Sequence, residues 1–81
     1  MKPSTTPECE QLMDMVIEGL DANIFDFQKR ANARVALEKL RKKRCTKAIE
    51  YIMQVSSSYS PLDTFAQQIC SDARKYLKEL S

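Results

Sequence analysis

Apolar residues recur along this chain at helical spacing, in several registers that point to different sides, and neither glycine nor proline interrupts the stretch from Leu20 to Ser60. No period-two alternation competes with them, so strands are not expected. Such a pattern calls for short helical rods that stack on one another. Eighty-one residues suffice for a single domain. The expected fold is all-α: a small bundle of four helices over 7–81, preceded by a polar, disordered lead-in at 1–6.

Cys9, Leu12, Met13, Val16, Ile17 and Leu20 form one stripe. Thr6 or Thr5 can cap it, Pro7 suits the first turn, and Glu8 complements the helix dipole. Gly19, the only glycine, reads as a C-terminal stop, which puts the first helix at 7–18. Asp21 or Asn23 can cap the next. A single helix over 24–55 would be about 48 Å long, far too long for a domain with a radius of gyration near 12 Å. Its apolar phase also shifts. Ile24, Phe27, Ala31 and Val35 make one stripe, Ala33, Ala36, Leu37 and Leu40 a second on another side, and Cys45, Ala48, Ile49, Ile52 and Met53 return toward the first.

One straight helix cannot bury all three stripes against one core. A break between Lys43 and Thr46 is therefore expected, with Thr46 as a new N-cap and a second kink near Asn32. The alternative is a continuous middle helix buried on two sides, between neighbours or in a dimer. The helices are then expected at 24–43, 46–55 and 61–80, the last with Ser60 as cap, Pro61 at its first position and Asp63 answering the cap.

Charge is segregated. Residues 1–28 carry one base and six acids, 29–47 nine bases and one acid, and 48–81 three bases and four acids. One reading pairs the acidic first helix with the basic second one inside the bundle; the other turns the basic block toward a partner. With Leu37 and Leu40 facing inward, Arg34, Lys39, Arg41 and Lys42 fall on the outer side. The expected partner-binding residues are Arg34, Val35, Lys39, Arg41, Lys42, Lys43, Lys47 and, in the loop before the last helix, Tyr59. The cations would steer an acidic protein segment while Val35 adds apolar contact. Sequence-nonspecific RNA or DNA binding is the first alternative, though no aromatic platform lies within the basic run. A homo-oligomeric structural subunit is the second.

Lys29-Arg30 and Arg41-Lys42-Lys43-Arg44 also have the spacing of a bipartite nuclear import signal, within a stretch that reads as helical. The spacing of Ala36-Leu37-x-x-Leu40, Thr46-x-x-Ile49-x-x-Ile52 and Phe65-Ala66-x-x-Ile69 resembles the helical N-terminal domain of transcription elongation factors. The resemblance lies in apolar spacing alone. It departs between Ile52 and Ser60, where that family's Leu-Arg-Lys connecting helix has no counterpart, and no family assignment follows.

Histidine is absent, which removes imidazole-based catalysis and metal ligation. Asp14 and Glu18 share a helix face but lack a third ligand, and one glycine cannot build a phosphate loop. The chain is expected to be a non-enzymatic adaptor or regulatory domain without catalytic residues, cofactor or metal. Cys9, Cys45 and Cys70 are odd in number and widely spaced. They read as free, buried thiols in a reducing compartment, cytoplasmic or nuclear, and no run is long and apolar enough for a membrane span.

Overall fold

The computed structural model describes residues 2–81 and shows four helices and no strand among them. They are α1 (Pro7–Asp21), α2 (Phe27–Lys42), α3 (Thr46–Ser57) and α4 (Thr64–Leu80). The all-α bundle expected from the apolar registers is the observed architecture. Helix α1 lies mainly along α2 and α3 along α4, so two helical hairpins pack around one core. The longest dimension is 31 Å and the radius of gyration 11.4 Å. Of the lead-in at 1–6, Met1 lies outside the described residues; the rest has no regular structure, and Lys2 pairs with Asp14 of α1 at 2.5 Å.

Helix α1 starts as its sequence dictates, with the Thr6 hydroxyl accepting from the Cys9 N–H at 3.3 Å and Pro7 in the first turn. It does not stop at Gly19. That residue is buried inside the helix, and a Cβ placed there would lie 2.4 Å from the Ala33 Cβ and 3.1 Å from the Lys29 carbonyl oxygen. Glycine is required for the close approach of α1 to α2, and the helix runs on to Asp21.

Helix α2 begins at Phe27 rather than residue 24, because Asp26 takes the capping role: its carboxylate accepts from the Lys29 N–H at 3.1 Å. Asn23 instead shapes the preceding turn, accepting from the Phe25 N–H at 2.9 Å. Near Asn32 the helix is not broken: α2 runs without interruption from Phe27 to Lys42. Only one of its two stripes is used by the core. Ala33, Ala36, Leu37 and Leu40 are buried, while Phe27 and Val35 stand 73% and 53% exposed.

The expected break between α2 and α3 is present, built on a residue the sequence did not single out. Arg44 adopts φ 57°, the Cys45 N–H donates to the Leu40 carbonyl and the Arg44 N–H to the Arg41 carbonyl, both at 3.0 Å. This is the paired hydrogen-bond pattern of a Schellman stop, whose left-handed position normally carries glycine. Thr46 is the first residue of α3, not its cap; Cys45 holds the cap position without a side-chain hydrogen bond. A left-handed non-glycine residue costs about 1–2 kcal/mol, partly offset by the lower unfolded-state entropy of a side-chain-bearing residue. Arg44→Gly is therefore expected to stabilise the fold by about 0.5–1 kcal/mol, read as a higher urea midpoint with an unchanged slope.

Helix α3 passes Val55 to end at Ser57, and Ser56, Ser57 and Ser58 each turn a hydroxyl back onto a carbonyl of its last turns. Such back-bonding keeps serine within a helix end. Ser60 and Pro61 do not start α4. The Asp63 N–H donates to the Ser60 carbonyl at 2.9 Å in a tight turn, and Asp63 caps the helix by accepting from the Ala66 N–H at 3.0 Å. Proline after serine serves the second position of a turn as well as it serves a helix start.

Two of the three cysteines are not free thiols. Cys9, in the first turn of α1, and Cys45, at the junction of α2 and α3, form a disulfide with Cα atoms 6.1 Å apart. Antiparallel packing brings the start of α1 to the end of α2, a proximity that a separation of 36 residues gives no means of reading. Cys70 alone is a free, buried thiol. The premise for a reducing compartment is thereby lost, since disulfides persist mainly in oxidising surroundings. No helix among the described residues is long and apolar enough to cross a membrane.

Candidate functional site

At about 100° per residue, the sides of α2 opposite its core stripe can be laid out directly. Phe27, Ala31 and Val35 follow one another along the outward side of its N-terminal half, and Glu38 and Lys42 continue that side. Arg30, Arg34 and Arg41 form a row along the edge that meets α4. Lys39 and Lys43 lie along the opposite edge. The basic block is thus not one face; its cations flank an exposed apolar strip.

The arginine row is anchored by aromatic rings of α4. The Arg30 guanidinium carbon lies 4.7 Å and that of Arg34 5.6 Å from the Phe65 ring centre, within range of cation–π attraction. Phe65 itself is buried at 5% exposure, with the two guanidinium groups packed over its ring. Thr64, Gln68, Phe27 and Ala31 complete a shallow cleft around this stack. The Arg30 Nε is buried without a hydrogen-bond partner among the described residues. Ile24, Phe25 and Leu62, at 62%, 75% and 90% exposure, add apolar surface in the loops before α2 and α4.

Further along α2, Arg41 is occupied. It sits 5.2 Å above the Tyr76 ring, with Glu38 at 3.4 Å and Glu79 at 3.6 Å. Burial, with carboxylates led by Asp72, raises the Tyr76 hydroxyl above its ordinary pKa. Lys43 pairs with Glu8 of α1 at 2.8 Å, and this hydrogen bond and charge hold the Glu8 carboxyl below the usual range. The acidic and basic helices do pack together, yet among the described residues this is the one ion pair that joins α1 to α2.

Lys39, Lys42 and Lys47 are exposed and make no ion pair among the described residues. Lys47 stands on α3 and, with Lys43 and Arg44, borders a cleft over the disulfide. Tyr59 is placed apart from all of these. It is half-buried, its hydroxyl donates to the Asp21 carboxylate at the end of α1, and burial followed by that carboxylate pushes its pKa up to about 12.

Of the eight residues singled out from sequence, the structure therefore sets Val35 on the strip, Lys42 on its continuation, Arg34 and Arg41 along the edge that meets α4, Lys39 on the opposite edge, Lys43 with Lys47 near the disulfide, and Tyr59 apart, against Asp21. Phe27, Arg30 and Phe65 were missed. The signal for Phe27 was present, since it belongs to the stripe with Ala31 and Val35; which stripe would face solvent was not. Among the described residues no group of three or more acidic or cysteine side chains is placed to hold a metal ion. Comparison of the chain with protein-family models, curated proteins and solved structures finds no match.

Proposed function

We propose that the protein is a non-enzymatic interaction module whose α2 outer face grips an acidic, amphipathic segment of another protein. The observation that carries this reading is the exposed strip Phe27–Ala31–Val35 at helical spacing, bordered by the arginines stacked on Phe65. An amphipathic helix laid on such a strip would bury its apolar residues against Phe27 and Val35, with carboxylates meeting Arg30 and Arg34. Burying a phenylalanine contributes about 1.5–3 kcal/mol, which makes the strip the source of affinity. The cations contribute orientation and on-rate. The same strip is a poor platform for nucleic acid, because Glu38 continues it and the cations lie on separate edges rather than along a continuous basic groove with stacked rings. The disulfide favours work in an oxidising compartment over the cytoplasm or nucleus.

The probe is a designed helical peptide with leucine at i, i+3, i+4 and i+7 and aspartate or glutamate between, followed by fluorescence anisotropy. Phe27→Asp and Val35→Asp are each expected to weaken binding at least about tenfold, or about 1.4 kcal/mol. Arg30→Gln with Arg34→Gln is expected to weaken it severalfold at low salt and less at high salt. Because Phe27 and Val35 lie outside the core, both variants retain the fold. Indifference of the peptide to Phe27→Asp overturns the reading. Tighter binding of polyuridylate with a steep salt dependence replaces it with a nucleic-acid function, and a dimer in sedimentation that Val35→Asp dissolves replaces it with self-association.

A further inference from the structure

The Cys9–Cys45 bond lies where the chain has concentrated positive charge. An open cleft over it is bordered by Lys43, Arg44 and Lys47 together with Thr5 and Thr6. The two cysteines differ in exposure, Cys9 being half-buried and Cys45 only 7% exposed, and both line the cleft. Against the three cations stands Glu8, whose carboxylate is held by Lys43, with Glu10 the other acid in the first turn of α1. Cys45 therefore sits between Arg44 and Lys47 at a site with a positive balance.

We propose that this bond is a thiol–disulfide exchange site for anionic thiols, small molecules carrying a carboxylate or sulfonate beside the sulfur. The thiolate enters the cationic cleft and attacks the sulfur of Cys9, the more exposed of the two residues. A bond forms between the incoming sulfur and Cys9, the Cys9–Cys45 bond breaks, and its electron pair leaves on Cys45 as a thiolate. A second thiolate then displaces Cys9 from the mixed disulfide, giving the symmetrical small-molecule disulfide and a chain reduced by two electrons. Exchange is faster when the leaving thiol has a low pKa, and nearby cations lower it. Arg44 and Lys47 flank Cys45 in sequence, and Cys45 holds the N-cap position of α3, where the helix dipole favours an anion. The basic run thus serves two ends: its arginines at the α4 edge border the apolar strip, and its last cations surround the bridge.

The test uses the oxidised full chain and three thiols of similar size: 2-mercaptoethanesulfonate, 2-mercaptoethanol and 2-mercaptoethylamine, with rates normalised to thiolate concentration. The sulfonate is expected to open the bond about fivefold or more faster than the amine at low ionic strength, with the neutral thiol between. At 1 M salt, where the screening length is about 3 Å, the preference is expected to vanish. Lys47→Gln, an exposed position whose loss leaves the core intact, is expected to reduce it at low salt, and Lys43→Gln added to it to reduce it further. Acid-quenched samples analysed by mass spectrometry should carry the mixed disulfide on Cys9. Equal normalised rates for the three thiols overturn the proposal, as does an adduct on Cys45. A preference that survives Lys47→Gln with Lys43→Gln overturns it as well.

Discussion

Replacing Cys9 and Cys45 together by serine is expected to lower the free energy of unfolding by about 4 kcal/mol. The bond closes a loop with a sequence separation of 36, and the chain-entropy relation for a loop of that length gives about 4 kcal/mol at 25 °C. At about 0.05–0.15 kcal/mol per residue, a domain of this size has some 4–12 kcal/mol in all. The bond therefore supplies between a third and the whole of the margin. With about 4–8 °C per kcal/mol for a domain of this length, the melting temperature should fall by roughly 15–30 °C.

Urea unfolding of the parent, of the parent under reductant and of the double-serine variant checks this. The reduced parent and the variant should agree, and both should show a steeper slope than the oxidised chain, because an uncrosslinked unfolded state exposes more surface. A difference under about 1 kcal/mol would mean that the bond does not restrain the unfolded chain as the loop model requires. The two ends that it fastens are the start of α1 and the junction of α2 with α3.

The helical class and the break after Lys43 were legible because each follows from local periods: apolar spacing within a stripe, and a change of phase between stripes. The ends of the helices were less so, and for one recurring reason. Gly19 and the Ser60-Pro61 pair each have two local uses, stop or close contact, cap or turn. Which use is realised depends on Ala33 across the interface and on Asp63 three residues on. The disulfide was illegible for a deeper reason, since cysteine pairing is a property of how α1 lies on α2, and no local period encodes it. The candidate strip was half legible. Its residues form a visible stripe, but so do Ala33, Ala36, Leu37 and Leu40, and a bundle of four helices has room to bury only one side of α2. The small residues decided it: Ala33 meets Gly19 closely enough for two helix backbones to approach, which Phe27 and Val35 would prevent.

That choice between stripes has the second-largest measurable consequence. Leu37 is 1% exposed and belongs to the core, whereas Val35, two positions earlier on the same helix, is 53% exposed. Truncating a buried leucine to alanine loses its transfer free energy and leaves a cavity, costing about 2–5 kcal/mol. Leu37→Ala is expected to cost about 3 kcal/mol, seen as a lower urea midpoint. Val35→Ala removes little buried surface and replaces a β-branched residue by the best helix former, which favours the helix by up to about 0.5 kcal/mol. The sign should therefore reverse between the two positions, with Val35→Ala neutral or slightly stabilising. Binding of the acidic amphipathic peptide should rank them the other way: Val35→Ala weakens it in a fully folded protein, and Leu37→Ala leaves it unchanged wherever the fold persists. Equal destabilisation at both positions would place Val35 in a covered interface already formed in the isolated chain, and sedimentation would then show the second copy that covers it.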